Sequence, residues 1–221
     1  MSQSERILFL IKFGQKKYLE SLRNKGELYF KAAKAFNQIK KLNEAQGDSN
    51  EGAIWIENLK NIQTTLNHPK LGEFKFRSVP GTLTKLTQFN HNYLTCSFYA
   101  VTNKDFERSD IFEVDERMSN FGGHALVISN PKMFIDSVFE YAEKDNIQLF
   151  AKTVTYEDLN REGRIELNPF VKKDIHKYQK EYRMVIKNSL DDSKILYSHI
   201  LGENGKIIPT KTHEKLQFKI E

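Results

Sequence analysis

Three polar residues at alternate positions, Gln179, Glu181 and Arg183, form the part of the sequence best suited to chemistry. They lie in the stretch 178–186, which ends in the apolar run Met184-Val185-Ile186. Because side chains alternate along a strand, an extended conformation places all three on one face of a sheet. A carboxylate between an amide and a guanidinium could polarise a ligand hydroxyl. The same pattern also arises on an exposed strand face, where the Glu and the Arg simply pair.

The elements that must position these residues are predicted from apolar periodicity. The segment 93–101, rich in β-branched and aromatic residues, predicts a central strand, and Asn130-Pro131 predicts the start of a helix. A further strand is predicted over 147–156, and a helix over 15–24 that stops at Gly26. Strands outnumber helices, so the predicted fold class is α+β with a split, mixed or antiparallel β-sheet.

Composition is typical of one folded domain spanning 1–221. Hydrophobic residues make up 39% of the chain, with 16 Phe and 9 Tyr, which is enough to bury a substantial core. Within this domain, the Pro- and Gly-containing region 67–90 predicts an exposed hairpin or insertion, and the charged region 103–120 predicts a mobile loop poor in core residues. The acidic turn-forming segment 47–52 predicts a second loop.

The net charge and the cysteine content limit which partners and which cellular compartment we expect for the protein. The formal net charge of +5 and the pI of about 9.0 permit a nucleic-acid partner without requiring one. Cys96 is the single cysteine, so an intramolecular disulfide and a Cys-based zinc site are excluded, as suits a reducing cytoplasm. The six histidines show no paired spacing, so no metal is expected. The apolar run 7–11 is too short for a membrane span and predicts a buried strand.

Several short motifs carry a resemblance to a known group of proteins. They are Lys12-Phe13-Gly14, then Gly26-Glu27-Leu28-Tyr29-Phe30, then Ala35-Phe36-Asn37, and finally the Gln179-x-Glu181-x-Arg183 strand. This layout resembles the abortive-infection proteins of the AbiGi type. It is also similar to ADP-ribosyltransferase folds, including the DarT and CmdT defence toxins.

The resemblance implies roles for particular residues. Glu181 would be the catalytic glutamate that bonds a ribose hydroxyl of NAD and stabilises an oxocarbenium-like transition state, and Gln179 would orient the acceptor. Ser97, in the middle motif Thr95-Cys96-Ser97, would brace Glu181 and the ribose of NAD; the alternative is a buried hydroxyl bonded to the backbone of a core strand. The remaining residues implied in binding NAD are Lys12, Phe13, Tyr29 and Arg183.

Lys12 and Tyr29 each have a second interpretation. The first strand of the family usually carries His or Arg where this chain has Lys12, and lysine lacks the forked geometry of arginine. Tyr29 could stack on nicotinamide, yet aromatic residues in such a strand are more often part of the core.

The function implied is that of a cytoplasmic, NAD-dependent mono-ADP-ribosyltransferase toxin in phage defence or a toxin–antitoxin system. NAD would be its substrate, a nucleic acid its target, with RNA ahead of DNA, and an antitoxin protein its inhibitory partner. The loops 47–52 and 103–120 are candidates for target recognition.

Two alternatives remain open from the sequence. Asp48 with Glu73-Phe74-Lys75 matches the acid and E-x-K pattern of restriction-like nucleases that bind Mg²⁺. Such a pattern arises easily in a chain that is 29% charged. The other alternative is a basic nucleic-acid-binding domain without enzymatic activity, for which Glu181 would be dispensable.

Overall fold

The computed structural model describes residues 4–39, 48–78, 83–90, 92–210 and 216–220. Its α-helices are α1 (Lys16–Lys25), α2 (Ala33–Ile39) and α3 (Pro131–Lys144). Its strands are β1 (Ile7–Gly14), β2 (Glu27–Ala32), β3 (Ala53–Lys60), β4 (Gln63–His68), β5 (Gly72–Arg77), β6 (Leu83–Phe89), β7 (Tyr93–Thr102), β8 (Ile111–Glu113), β9 (His124–Ile128), β10 (Leu149–Thr153), β11 (Thr155–Glu157), β12 (Gly163–Glu166), β13 (Val171–Lys173), β14 (Glu181–Lys187), β15 (Ser193–Tyr197), β16 (Gly205–Pro209) and β17 (Gln217–Lys219).

The central sheet is antiparallel and divides along one edge of β7. Six strands follow the order β10-β14-β7-β1-β9-β16, and β14 pairs with β7 from Glu181 opposite Tyr99 to Lys187 opposite Tyr93. The other edge of β7 is shared. β1 pairs with its C-terminal end, around Tyr99, and β2 pairs with its N-terminal end, at Thr95, and leads on to β15. The sheet is therefore split at β7, with β1 and β2 diverging.

Alternation along β7 sends its side chains into two different environments. One face is apolar and packs against helices α1 and α3; Cys96, Phe98 and Phe134 are buried there, with the rings of Phe98 and Phe134 edge to face at 5.3 Å. The opposite face carries a second apolar cluster around Tyr99 and a group of buried charges. The first face holds the main core, and the second face holds the residues with chemistry.

Helix α3 begins, and helix α1 ends, where the sequence predicts. The side chain of Asn130 caps α3 by accepting a hydrogen bond from the backbone N–H of Met133 at 3.1 Å. Gly26 ends α1 in the left-handed conformation at φ 73°, and its N–H bonds the carbonyl of Leu22. Both helices therefore have specific end signals in the sequence.

The remaining strands form smaller sheets. The order β12-β3-β6 forms a three-stranded antiparallel sheet, β17 pairs with β8, and β4 pairs with β5 as a separate two-stranded ribbon. β11 and β13 form the one parallel pair in the part of the chain that the structure describes. The α+β class is confirmed, with mostly antiparallel sheets and few helices. No helix among the described residues is both long and apolar enough to span a membrane.

Three local predictions need correction. The strand predicted over 147–156 is two strands, β10 and β11, which pair with different partners, β14 and β13. The hairpin predicted in 67–90 starts earlier, at Gln63, and its second part pairs with β3; residues 79–82 lie outside the described residues. The region 103–120 contributes Val114 and Met118 to the second apolar cluster, so the prediction that it is poor in core residues is wrong. Its few apolar residues are spaced by short 3-10 turns, which hide the periodicity.

The strand predicted over 178–186 is also shorter than expected. Residues Asp174–Gln179 form a 3-10 helix, and Lys180 follows in a left-handed conformation at φ 39°, so the strand starts at Glu181. Gln179 is therefore not on the strand, and its side chain reaches the neighbourhood of Glu181 from the preceding turn. The prediction that strand alternation aligns these two residues is wrong, although the two side chains still lie close together.

Candidate active site

The centre of the candidate site is formed by Glu181 and Arg183, which β14 places on the charged face of the sheet. Their register partners on β7 are Tyr99 and Ser97, so all four side chains share that face. Glu181 is 6% exposed and Arg183 3% exposed. Charged groups this deep are found in proteins only when paired, so the contacts of each group define the site.

Arg183 bridges two carboxylates. Its Nε donates to Oε1 of Glu181 at 2.9 Å, while Nη1 and Nη2 donate to the two carboxylate oxygens of Glu51 at 2.9 and 3.1 Å. Nη1 also donates to the backbone carbonyl of Pro169 at 2.5 Å. This forked geometry is specific to guanidinium, so lysine could not replace Arg183 without loss of bonds.

Lys172 occupies the other side of Glu181. Its Nζ donates to Oε2 of Glu181 at 2.9 Å and to Oε1 of Gln179 at 2.8 Å, and the residue is 8% exposed. Each carboxylate oxygen of Glu181 therefore has its own cationic partner. Gln179 and Glu181 are held together by one shared ammonium group rather than by a common strand.

Ser97 and Tyr156 complete the contacts of Glu181. Ser97 lies opposite Arg183 on the same face of the sheet, where its hydroxyl helps to lower the pKa of the Glu181 carboxyl, and the hydroxyl of Tyr156 accepts the backbone N–H of Glu181 at 2.9 Å. Burial raises the pKa of Tyr156 above its usual range, and the nearby Glu181 charge adds to that effect, so its hydroxyl stays protonated at neutral pH.

Gln179 is held by two neighbours in its own turn. Its Nε2 lies 3.3 Å from Nδ1 of His176, a bond whose direction depends on the histidine tautomer, and donates to the hydroxyl of Tyr178 at 3.3 Å. His176 and Gln179 are both buried. The amide is therefore oriented with its oxygen toward Lys172 and its nitrogen toward the imidazole.

Glu51 attaches a distant loop to this centre. The hydroxyl of Tyr93 donates to Oε1 of Glu51 at 3.2 Å and accepts the backbone N–H of Gly52 at 2.9 Å. Asp48 lies in the same loop and is 5% exposed. A small cleft beside Arg183 is lined by this loop and by Leu167, Asn168 and Val171.

The pKa values of the two carboxyl groups at this centre, Glu181 and Glu51, are shifted in opposite directions. Burial alone would raise the pKa of Glu181, but the neighbouring charges of Arg183 and Lys172 outweigh burial and lower that pKa well below its usual range. Burial raises the pKa of Glu51, against the opposing charge of Arg183 and with the help of nearby Asp48. Two carboxylates raise the pKa of Arg183 despite its burial. Glu181 is therefore the firmly ionised member of the cluster.

Lys12 lies on the other face of the sheet from Glu181. Its Nζ donates to the carbonyl of Ser97 at 2.7 Å, lies 3.2 Å from Sγ of Cys96 and sits 5.0 Å from the centre of the Phe98 ring. Cys96 and Phe98 belong to the helix-packed core. The structure therefore does not bring Lys12 into contact with Glu181, and Lys12 instead occupies the place where β1 and β2 diverge.

Phe13 and Tyr29 are likewise not in contact with Glu181. Phe13 packs in the second core with its ring edge to face with Tyr99 at 6.2 Å. Tyr29 is 54% exposed on β2, opposite Ile195 of β15, so the interpretation of Tyr29 as a core residue is wrong. Strand alternation turns Tyr29 outward between the buried residues Leu28 and Phe30.

The residues of the nuclease alternative are not brought together. Asp48 is buried beside Glu51, whereas Glu73 and Lys75 are exposed on the β4–β5 ribbon and pair with each other at 2.9 Å. Among the described residues no group of three His, Cys, Asp or Glu side chains could hold a metal ion.

Sequence reasoning missed three residues whose buried side chains belong to the candidate site: Glu51, Lys172 and His176. Glu51 lies in a segment read as a polar loop, of which residue 47 is outside the described residues, and Lys172 lies in a lysine-rich connection. Nothing in their local sequence distinguishes them from solvated charges. Their burial depends on contacts across as many as 132 positions, which local patterns do not encode.

Comparison of the chain with protein-family models, with curated proteins and with solved structures gives no match in any of the three. The chemistry of the site therefore rests on its own geometry. That geometry offers an ionised carboxylate, a hydroxyl and an amide within reach of one another, with two fixed cations beside them. Such a set can stabilise positive charge that develops on a sugar and can hold its hydroxyl groups.

Proposed function

We propose that the protein is a mono-ADP-ribosyltransferase that uses NAD as its substrate, on an ADP-ribosyltransferase-like split sheet. The observation that carries the proposal is the joint placement of Glu181, Ser97 and Gln179, with Ser97 on the same face of the sheet as Glu181 and Gln179 linked to the Glu181 carboxylate through Lys172. The division of the sheet along β7 is a second, weaker support.

The reaction breaks the bond between the ribose anomeric carbon and the nicotinamide nitrogen. Nicotinamide leaves with the bonding electrons, and the Glu181 carboxylate stabilises the positive charge on the sugar. A nucleophile of the target then forms the new bond to the anomeric carbon and releases its proton to water. Gln179 orients this acceptor, and Ser97 keeps the carboxylate in place. A lowered Glu181 pKa keeps the group ionised, as this role requires.

Access to Glu181 requires movement of the segment 171–179. Lys172 sits on the carboxylate in the described conformation, with its ammonium where a cationic sugar would be stabilised. The hydroxyl, amide and cationic groups of the site match the hydroxyl groups of a ribose and the charge of a diphosphate. The Glu181 carboxylate is enclosed, however, so NAD can reach it only after Lys172 moves. Arg183 remains to hold Glu181 in its orientation after that movement.

Labelled NAD tests the proposal directly. Purified protein is incubated with NAD labelled in the adenylate part and with separate pools of RNA, single-stranded DNA, duplex DNA and protein, without added metal. Wild type should transfer label, Glu181→Gln should lose at least about 100-fold in rate, and Glu166→Gln, an exposed carboxylate paired with Arg164, should be unchanged. Equal transfer by wild type and Glu181→Gln would refute the catalytic role.

A second variant protects the test against misfolding. Glu181→Gln leaves Arg183 and Lys172 with fewer bonds, so it could lose activity through instability alone. Gln179→Ala removes the acceptor-orienting amide but leaves both carboxylates paired. It should lower transfer to the target more than it lowers NAD hydrolysis, a change in the ratio of the two activities that loss of stability alone would not produce. Loss of both activities in parallel would contradict the role of Gln179.

The biological setting is part of the same proposal. The basic balance of the chain is compatible with a nucleic-acid target, and a toxin of this kind implies an antitoxin partner in phage defence or a toxin–antitoxin system. Expression of wild type should inhibit growth, and Glu181→Gln should relieve the inhibition. If both inhibit growth equally and neither consumes NAD, a non-enzymatic nucleic-acid-binding domain is the better description.

A further inference from the structure

The β4–β5 ribbon stands apart from the rest of the described chain. β4 and β5 pair only with each other among the described residues, and all twelve of their residues are exposed. The pairing continues at the base through the N–H of Ser78 and the carbonyl of Ile62. Six residues at about 3.4 Å each give the ribbon a length of roughly 20 Å. An isolated two-stranded hairpin is marginally stable in water, so we expect an exposed ribbon of this length to be stabilised by binding a partner.

The register divides the ribbon into two chemically different faces. Residues directly opposite each other share a face, and successive residues along each strand point to opposite faces. One face is largely apolar, with Leu66 opposite Phe74, and Phe76 beside them. The other face consists entirely of side chains that form hydrogen bonds, and these occur as the opposed pairs Gln63 with Arg77, Thr65 with Lys75, and Asn67 with Glu73.

The polar face is also positively charged. Lys75 and Arg77 are on it, Lys70 is in the turn at its tip, and Glu73 is the one carboxylate between Gln63 and Arg77. Glu73 pairs with Lys75 at 2.9 Å, at side-chain exposures of 50% and 59%, so the pair is weak and open to exchange. Arg77 is exposed and has no ion-pair partner among the described residues. The face thus combines net positive charge with amide, hydroxyl and guanidinium groups.

We propose that this polar face is a DNA-binding surface that enters the major groove of duplex DNA. A B-form major groove is about 12 Å wide and accepts a two-stranded β-ribbon. Arginine and lysine bond guanine, glutamine and asparagine bond adenine, and glutamate accepts from cytosine, so the six side chains include groups that bond three of the bases. The cations additionally bond phosphates, which supply most of the affinity.

Duplex DNA fits this face better than duplex RNA does. The major groove of A-form RNA is too narrow and deep for side chains to read, so a ribbon cannot enter it. RNA was the first target predicted from the sequence, and the shape of the ribbon reverses that preference. Single-stranded nucleic acid would instead stack on Phe74 and Phe76, but the register places no lysine or arginine on that face to bind its phosphates.

The inference deepens the proposed function by naming the class of target, but its test is independent of catalysis. Binding is measured with wild-type protein in the absence of NAD, so failure of the transferase proposal leaves the result unaffected. Conversely, transfer of label in a protein that does not bind duplex DNA would refute the DNA surface alone.

The main experiment is fluorescence anisotropy with a labelled duplex of mixed sequence about 20 base pairs long, roughly two turns of helix. The double variant Lys75→Ala, Arg77→Ala should bind at least tenfold more weakly, and the slope of log affinity against log salt should fall by about 2. The matched control, Leu66→Ser with Phe76→Ser, changes the other face of the same ribbon and should bind like wild type. Since neither set is buried, both variants should keep the wild-type melting temperature.

A second pair of variants tests base reading. Gln63→Ala and Asn67→Ala should change the preference among duplex sequences while leaving the salt dependence unchanged, because amides bond bases rather than carry charge. No detectable duplex binding by wild type would overturn the inference. Loss of binding in the Leu66 and Phe76 variant alone would also overturn it, because the apolar face would then be the binding surface. Stronger binding of single-stranded RNA than of duplex DNA would overturn it as well, because the target would then be RNA.

Discussion

Arg183 donates hydrogen bonds from Nη1 and Nη2 to both carboxylate oxygens of Glu51, at 2.9 and 3.1 Å, although the two residues are 132 positions apart in the chain. The same guanidinium bonds Glu181 through Nε. One side chain thus joins the loop that precedes β3 to the strand that carries the proposed catalytic glutamate. The geometry of the candidate site depends on this connection.

Replacing Arg183 with methionine should destabilise the fold by about 3–5 kcal/mol, because two buried carboxylates lose their partner. The free energy of unfolding in urea measures this loss. Arg164→Met is the matched control, since Arg164 pairs with exposed Glu166 on the surface and its loss should cost less than about 1 kcal/mol. Similar losses in the two variants would mean that the buried ion pairs of Arg183 stabilise the fold no more than a surface pair does.

The stability that Glu181 contributes should depend on pH. Its pKa in the folded protein lies below the unfolded value, so its contribution is present above the unfolded pKa of about 4.3 and is lost as the pH falls. The difference in unfolding free energy between wild type and Glu181→Gln should therefore shrink below pH 4.3, by about 1.4 kcal/mol per pH unit. Urea unfolding at pH 7, 5 and roughly 3.5 covers that window. A difference independent of pH would contradict the lowered pKa.

Lys12→Met should reduce stability without direct effect on Glu181. The change removes the partner of the Ser97 carbonyl, which costs about 1–3 kcal/mol when the group is left unsatisfied. Lys17→Met, at an exposed position on α1, is the control and should be nearly neutral. Chemical denaturation measures both variants. Loss of NAD transfer in Lys12→Met at unchanged stability would instead place Lys12 in the site.

Gly26→Ala should be strongly destabilising. Gly26 adopts φ +73°, and an added Cβ would lie 2.1 Å from the backbone oxygen of Ser198. Left-handed strain of about 1–2 kcal/mol and a backbone clash of about 1–3 kcal/mol together predict a loss of roughly 2–5 kcal/mol. Gly72→Ala separates the two effects, because Gly72 has φ +83° with no atom within 4 Å of the added Cβ. Gly72→Ala should lose only the free energy of unfolding that corresponds to backbone strain. An equal loss in both variants would mean that the contact with Ser198 adds nothing to the cost of Gly26→Ala.

Local patterns determined much of the secondary structure. The β-branched and aromatic run of β7, the Asn130-Pro131 start of α3 and the glycine that ends α1 each act within a few residues, so they can be recognised without the fold. The α+β class follows from such elements. The limits of the elements around Gln179 were not predictable, because the left-handed Lys180 carries no special residue type.

The sequence by itself therefore determined the elements, the likeness of Gln179-x-Glu181 to a catalytic motif, and the positive charge that permits a nucleic-acid partner. Only the tertiary structure decided which charges meet. Glu51 and Lys172 converge on the residues of β14 because the sheet and its connections bring distant segments to one buried face, whereas Lys12 and Glu181 are separated by the sheet. Alternation tells which residues of one strand share a face, but the pairing of strands decides what those residues face.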